Sequence, residues 1–219
     1  MNSSILILIE HFNPNYQNLL DQEHLQVLVS NLMLLLESNF PYEKQPYFKD
    51  EIIPEWEAIR KDIQQKKQHL EAEHLENEEL IVKLIETIGM EHLLLLLGQR
   101  LTSASVRDQN GIPPLKSLLI ETAFSPFNTQ ISVATRAWEK HAGRHADNFW
   151  GEVKGSPSDK EEYVRSLIHQ MLEHKTWWNV FFHYKHELVY EARVASGHGI
   201  RWSHGGKKLI GFLEPFINE

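Results

Sequence analysis

Residues 190–213 read YEARVASGHGIRWSHGGKKLIGFL. Glycine-bearing turns divide the stretch into three apolar segments, which predicts an antiparallel β-meander. Gly205-Gly206, between Ser203-His204 and Lys207-Lys208, suits a two-residue hairpin, because glycine accepts positive φ at both central positions. That hairpin would pair Trp202 with Leu209 and Ile200 with Gly211. The turn around Ser196–Gly199 has several lengths open to it. A two- or four-residue loop would put Arg193 and Glu191 on the face of Trp202. A three-residue loop, Gly197-His198-Gly199, instead aligns Tyr190, Ala192, Val194, Ile200, Trp202, Leu209 and Leu213. One face must be buried, and a one-residue slip would invert every side chain, so the three-residue turn is favoured. Glu191, Arg193, Arg201, Ser203, Ile210 and Phe212 then share the other face.

That second face holds two arginines, one glutamate and two apolar residues. A Glu–Arg surface pair would account for it cheaply, at about 0–1 kcal/mol. Two fixed guanidinium forks would equally suit a carboxylate or phosphate, since each offers paired donors. Arg193, Arg201 and Glu191 are therefore the leading ligand-binding candidates.

Working upstream, Ser158 or Asp159 can cap a helix running to about Lys175. A further helix is expected from Asn128 to about Phe149. Its apolar stripe would include Trp138, His145 and Phe149, which makes His145 a core residue. Arg136, Lys140 and Arg144 recur at four-residue steps on its other side, where like charges repel mildly. Arg136 and Arg144 join the anion-binding candidates on this ground.

The first half differs in kind. Residues 1–100 hold 17 acidic and 8 basic side chains, whereas residues 101–219 hold 13 and 14. Five of the six Trp and eight of the thirteen His lie in the second half. The Leu-rich first half reads as helical scaffold: a helix after Asp21 to about Glu37, another from near Pro54, and a third from Asn77 to about Leu101. The whole chain carries a formal net charge of −8, which argues against phosphate-driven binding to nucleic acid and makes such a partner unlikely on charge alone. There is no cysteine, hence no disulfide, thiolate metal site or cysteine nucleophile.

His141 and His145 are four apart but lack the glutamate of a metalloprotease helix. His183, His186, His198 and His204 lie on neighbouring turns without a recognised ligand spacing. No metal site and no cofactor are expected. His186 or His198, with Glu191, are the candidates for acid–base chemistry. Phosphate-loop, nucleophile-elbow and dinucleotide signatures are all missing. The longest strongly apolar uncharged stretch, Leu25–Leu36, is too short for a bilayer, and Glu10 closes the apolar run Ile5–Ile9. A soluble cytoplasmic protein without membrane or signal segment is expected.

Gly197-His198-Gly199-Ile200-Arg201-Trp202, followed by Ile210-Gly211-Phe212-Leu213-Glu214-Pro215, resembles a group of uncharacterised proteins. They share a Gly-(His/aromatic)-Gly-x-Arg-Trp turn and a Gly-Phe-Leu-Glu-Pro end. Arg136, Lys140-His141, Arg144 and Trp150-Gly151 fit the same pattern. The resemblance spans about residues 130–216 and implies a shared domain, with no activity attached.

The expected architecture is α+β, mostly α: a helical array closed by a C-terminal three-stranded antiparallel meander. One domain, 1–219, is expected, with an acidic scaffold (1–105), a Pro/Gly connector (106–128) and an aromatic, His-rich part (129–219). The expected function is a binding module for an anionic small molecule or an acidic peptide. The alternatives are a small hydrolase or transferase built on His, Glu and Arg, and a helical scaffold forming a homo-oligomer.

Overall fold

A computed structural model of the chain describes residues 10–42, 45–143 and 148–216. They divide into two compact units. Of the described residues, the first comprises 10–42, 52–101 and 107–112; the second comprises 45–51, 102–106, 113–143 and 148–216.

The first unit is helical: α1 (Pro14–Gln17), α2 (Gln22–Leu36), α3 (Trp56–Glu71), α4 (Asn77–Thr87) and α5 (Met90–Leu96). Asp21 caps α2 in a reciprocal arrangement with His24, which satisfies two otherwise orphaned donors. The i, i+3, i+4 spacing of Leu25, Leu28, Leu32 and Leu35 buries one face of that helix. The single helix expected from Asn77 to Leu101 is broken. Gly89, at φ 83°, interrupts it and starts α5, whose Leu93–Leu96 are all buried.

The second unit holds α6 (Lys116–Ala123), α7 (Val133–Trp138) and α8 (Pro157–Glu173), then four strands: β1 (Lys175–His183), β2 (Glu187–Val194), β3 (Gly199–Ser203) and β4 (Leu209–Leu213). The sheet is antiparallel in the order β1-β2-β3-β4. The expectation of three strands is therefore wrong. The missed strand is the aromatic run Lys175–His183. Trp178 and Val180 point to the buried face and Trp177, Asn179 and Phe181 to the other. Because Trp stands on both faces, the run does not alternate in polarity and hides its period of two.

Within β2 and β3 the faces fall as expected, whereas in β4 Phe212 and Leu213 exchange faces. Tyr190 pairs with Trp202 and Ala192 with Ile200. The amide of Val194 donates to the carbonyl of His198, so the turn is Ala195-Ser196-Gly197, with Gly197 at φ 91°. This turn has the same odd length as the predicted one, so every side chain of β2 and β3 keeps its face. Between β3 and β4 the register shifts after Trp202–Leu209, and Ile200 faces Phe212 rather than Gly211. The bulge at Ile210 turns Phe212 into the core, where it is 4% exposed, and removes it from the face of Arg201.

The buried face centres on Trp178, Tyr190, Ile200, Trp202 and Phe212. It packs on Val164, Ile168 and Met171 of α8, themselves buried. Ser156, not Ser158, caps α8, with Asp159 closing the reciprocal bond and Pro157 in the first turn. The Trp202 indole N–H donates to the carbonyl of Leu119 (3.2 Å), tying β3 to α6.

The long helix expected over 128–149 is also replaced. The Asn128 side chain accepts from the amides of Gln130 and Ile131 (2.8 and 2.9 Å), which holds a turn rather than a helix. Ser132 then caps the six-residue α7, which ends at Trp138. The basic stripe Arg136–Lys140–Arg144 loses its helical basis beyond that residue. Arg144 and His145 lie outside the described residues.

Candidate functional site

The face opposite the core is polar because of its register. Asn179, Glu191 and Arg201 are cross-strand neighbours on β1, β2 and β3. Glu191 is 1% exposed, yet both its oxygens are satisfied. Arg193 Nε donates to Oε1 (2.5 Å), while Arg201 Nε and Nη2 donate to Oε2 (2.7 and 2.5 Å). Buried charge is costly unless paired, and here one carboxylate is shared by two guanidinium groups. The triad therefore keeps one positive charge in excess.

Arg193 is fixed from three sides. Its Nη1 donates to the carbonyls of Gly197 (2.5 Å) and Glu214 (2.7 Å), and its guanidinium lies 3.9 Å from the centre of the Phe216 ring. Burial pushes its pKa down from the ordinary arginine value, against the pull of Glu191. A Cβ on Gly199 would stand 2.7 Å from Arg193 Cγ, so the glycine is what lets the arginine cross the strand.

Arg201 is less enclosed. Its Nη1 lies 3.0 Å from Nε2 of His183. Burial first, and the Arg201 guanidinium second, hold His183 below the usual imidazole range. The backbone amide of Lys185 donates to Nδ1 of the same ring (3.2 Å). A neutral imidazole has one N–H and one lone pair, so it cannot accept from both donors. An anionic oxygen seated between Arg201 and His183 would accept from both and remove the conflict.

A cavity of about 320 Å³ opens beside this triad, entirely within the second unit. Glu191, Arg201 and Asn179 form its polar wall, and Trp177, Phe181 and Phe216 its aromatic wall. Thr102, Ser103 and Asp50 also line it. The segment 102–106 is held there by the edge of β1: the Val106 amide donates to the Val180 carbonyl (2.9 Å), and Asn179 Nδ2 donates to Ser105 Oγ (2.8 Å). The indole nitrogen of Trp177 is buried and has no hydrogen-bond partner among the described residues.

A second cluster gathers around Glu214. Its Oε1 is 2.6 Å from His141 Nδ1 and accepts from the Trp150 indole (3.0 Å); its Oε2 is 3.7 Å from His198 Nε2. His198 is 3% exposed and stacks on Phe149 at 3.8 Å. Glu214 thus touches both clusters, by its carbonyl to Arg193 and by its carboxylate to His141.

The candidates named from sequence distribute unevenly. Arg193, Arg201 and Glu191 come together. His186 is on the β1–β2 hairpin with its ring 5.2 Å from that of His183. His198 is in the Glu214 cluster. Arg136 instead pairs with Glu139 (3.3 Å) and lies over Phe127. Asn179 and the pairing of His183 with Arg201 were missed, because both depend on β1, the unrecognised strand. Glu214 was legible only as part of the Gly-Phe-Leu-Glu-Pro end. No group of three or more His, Asp or Glu suited to a metal occurs among the described residues. No helix among them is long and apolar enough to cross a membrane.

Residues 120–214 match the family model of the CdiA C-terminal tRNase toxin domain. A solved structure, described as the toxic C-terminal tip of CdiA from Pseudomonas aeruginosa in complex with an immune protein, is 30% identical in sequence. The likeness covers 43% of this chain and 99% of that one, with a TM-score of 0.38. No curated protein matches the chain. By sequence, residues 120–214 belong to this toxin-domain family. That overturns the expectation of a binding module for an anionic small molecule or acidic peptide. It equally overturns the exclusion of nucleic acid. The exclusion averaged charge over the whole chain, whereas the acidic excess sits in residues 1–100 and residues 101–219 hold one basic side chain more than acidic.

Proposed function

We propose that the second unit is a ribonuclease acting on transfer RNA, with the cavity at Glu191 and Arg201, and His183 beside Arg201, as its phosphodiester site. The family match over residues 120–214 carries the reading, because that segment includes all four strands and the polar face they build. The excess positive charge of the triad supports it, as does the unresolved donor pair at Arg201 and His183.

RNA supplies its own nucleophile. The ribose 2′-oxygen attacks the adjacent phosphorus, the O2′–P bond forms, the P–O5′ bond breaks, and a 2′,3′-cyclic phosphate and a 5′-hydroxyl result. The reaction needs a base for the 2′-proton, positive charge at the phosphoryl oxygens and a proton for O5′. His183, whose Nδ1 accepts from the Lys185 amide, turns its Nε2–H to a phosphoryl oxygen beside Arg201, and the exposed His186 ring next to it is the candidate base. Arg201 suits the phosphoryl oxygens, since its fork is pre-aimed by Glu191. Glu191 and Arg193 act as positioning residues, because the carboxylate is already committed to two guanidinium groups. The His186 ring, having taken the 2′-proton, is the candidate for returning it to O5′.

The test is incubation of the full chain with transfer RNA and analysis of the fragment ends. Cyclic phosphate ends are expected. Arg201→Lys keeps the charge and loses the fork, and should lower the cleavage rate about 10²–10³-fold while the melting temperature stays within about 2 °C. Cleavage unaffected by this change would remove Arg201 from the chemistry. No cleavage by the unaltered chain would sink the reading.

A further inference from the structure

The tip of the β1–β2 hairpin is used neither by the core nor by the triad. It runs Phe182-His183-Tyr184-Lys185-His186, four aromatic or imidazole rings and one lysine. Tyr184 is 86% exposed and Phe182 65%, more than any other large apolar or aromatic side chains among the described residues. Exposing two rings side by side is unfavourable in water, and nothing in the fold of the second unit requires it. The tip is nevertheless ordered by its own bonds. The His186 amide donates to the carbonyl of His183 (3.1 Å), and Glu187 takes φ 59° to close the turn. The rings are arranged as a stack. His183 stands 4.8 Å from Tyr184 and 5.2 Å from His186, the latter at 19°. Lys185 Nζ lies 5.1 Å from the Tyr184 ring centre.

The tip is continuous with the cavity. His183 reaches Arg201 from it, and Phe182 is part of the cavity wall. A polyanion with flat apolar groups at regular intervals matches this surface, with its phosphate at Arg201 and its neighbouring bases on the rings. We propose that residues 182–186 are a stacking platform for unpaired bases, so that the second unit engages single-stranded rather than duplex RNA. In a duplex the base faces are covered by their neighbours, and a protruding aromatic tip has nothing to stack on. The placement of the phosphate rests on the ribonuclease reading above; the platform itself rests on the tip.

The experiment uses the full chain and an oligonucleotide of about 8 residues carrying 2′-O-methyl groups, which cannot be cleaved through O2′. Binding is read by fluorescence anisotropy for the single strand and for the same sequence in a duplex. Tyr184 is almost fully exposed, so its replacement leaves the fold intact, as melting temperature would verify. Tyr184→Ala should weaken single-strand binding about tenfold, Tyr184→Phe should bind as the unaltered chain does, and the duplex should bind more weakly than the single strand. Equal binding by Tyr184→Ala, equal binding of duplex and single strand, or no binding of either would overturn the platform. Transfer RNA cleavage with Tyr184 indifferent would leave the ribonuclease and remove the platform. Tyr184-dependent binding without cleavage would do the reverse.

Discussion

Glu191→Gln isolates the charge at the centre of the site without changing its volume. In the native protein the carboxylate accepts three donors, one from Arg193 and two from Arg201, at 2.5–2.7 Å. A carboxamide offers one oxygen and one NH2 group. However it is turned, the NH2 confronts a guanidinium, donor against donor. Removing one partner of a buried pair costs about 3–5 kcal/mol, because a charge is left uncompensated. Two features place this case at the low end. Arg193 retains the carbonyls of Gly197 and Glu214, and the side chain of Arg201 is 16% exposed and can turn toward water. The expected loss is therefore about 3 kcal/mol. For a protein of this size, ~2–4 °C of melting temperature accompany each kcal/mol, which gives a drop of about 6–12 °C. Tryptophan fluorescence during heating reads the second unit, since Trp138, Trp150, Trp177, Trp178 and Trp202 all lie in it. A drop below about 3 °C would mean that solvent screens the pair as it does on a surface, and the account of a buried, rigid triad would fail.

Two further outcomes follow from the geometry. Trp202 is fully buried and its indole N–H is bonded to Leu119, so Trp202→Ala should cost about 3–5 kcal/mol by urea unfolding; a loss under about 1 kcal/mol would place the ring outside the core. The folded-state pKa of His183 is depressed, so its contribution to stability is present above its ordinary pKa and is lost as pH falls through the depressed value. The melting temperature should therefore fall on acidification below about pH 6.5, and part of that fall should vanish in His183→Gln; identical pH slopes for the two proteins would refute it.

The helices of the first unit were the most legible part of the chain. The Asp21 cap and the leucine spacing after it are local signals, and a helix satisfies its own backbone within a few residues. Where a local signal was overridden, the competing signal was local too. Gly89 breaks the helix after Thr87, and the Asn128 side chain accepts from the amides of Gln130 and Ile131. The C-terminal sheet was legible in its faces and not in its extent. Its β2–β3 turn lies two residues earlier than predicted, an even difference that leaves each side chain of β2 and β3 on the predicted face. Its first strand was missed because aromatic residues on both faces erase the alternation that marks a strand.

Strand parity alone places Glu191, Arg193 and Arg201 on the face opposite Trp202, since it follows from the pleat and one face had to be buried. What else that face contains depends on how the strands assemble. The Ile210 bulge withdrew Phe212 into the core, and the pairing of β1 with β2 delivered Asn179 and His183 from a strand whose position depends on hydrogen bonds to a distant segment. The bonds of the 102–106 segment to β1 join residues far apart in the chain. Their stability comes from the assembled sheet, and no local pattern of residues records them.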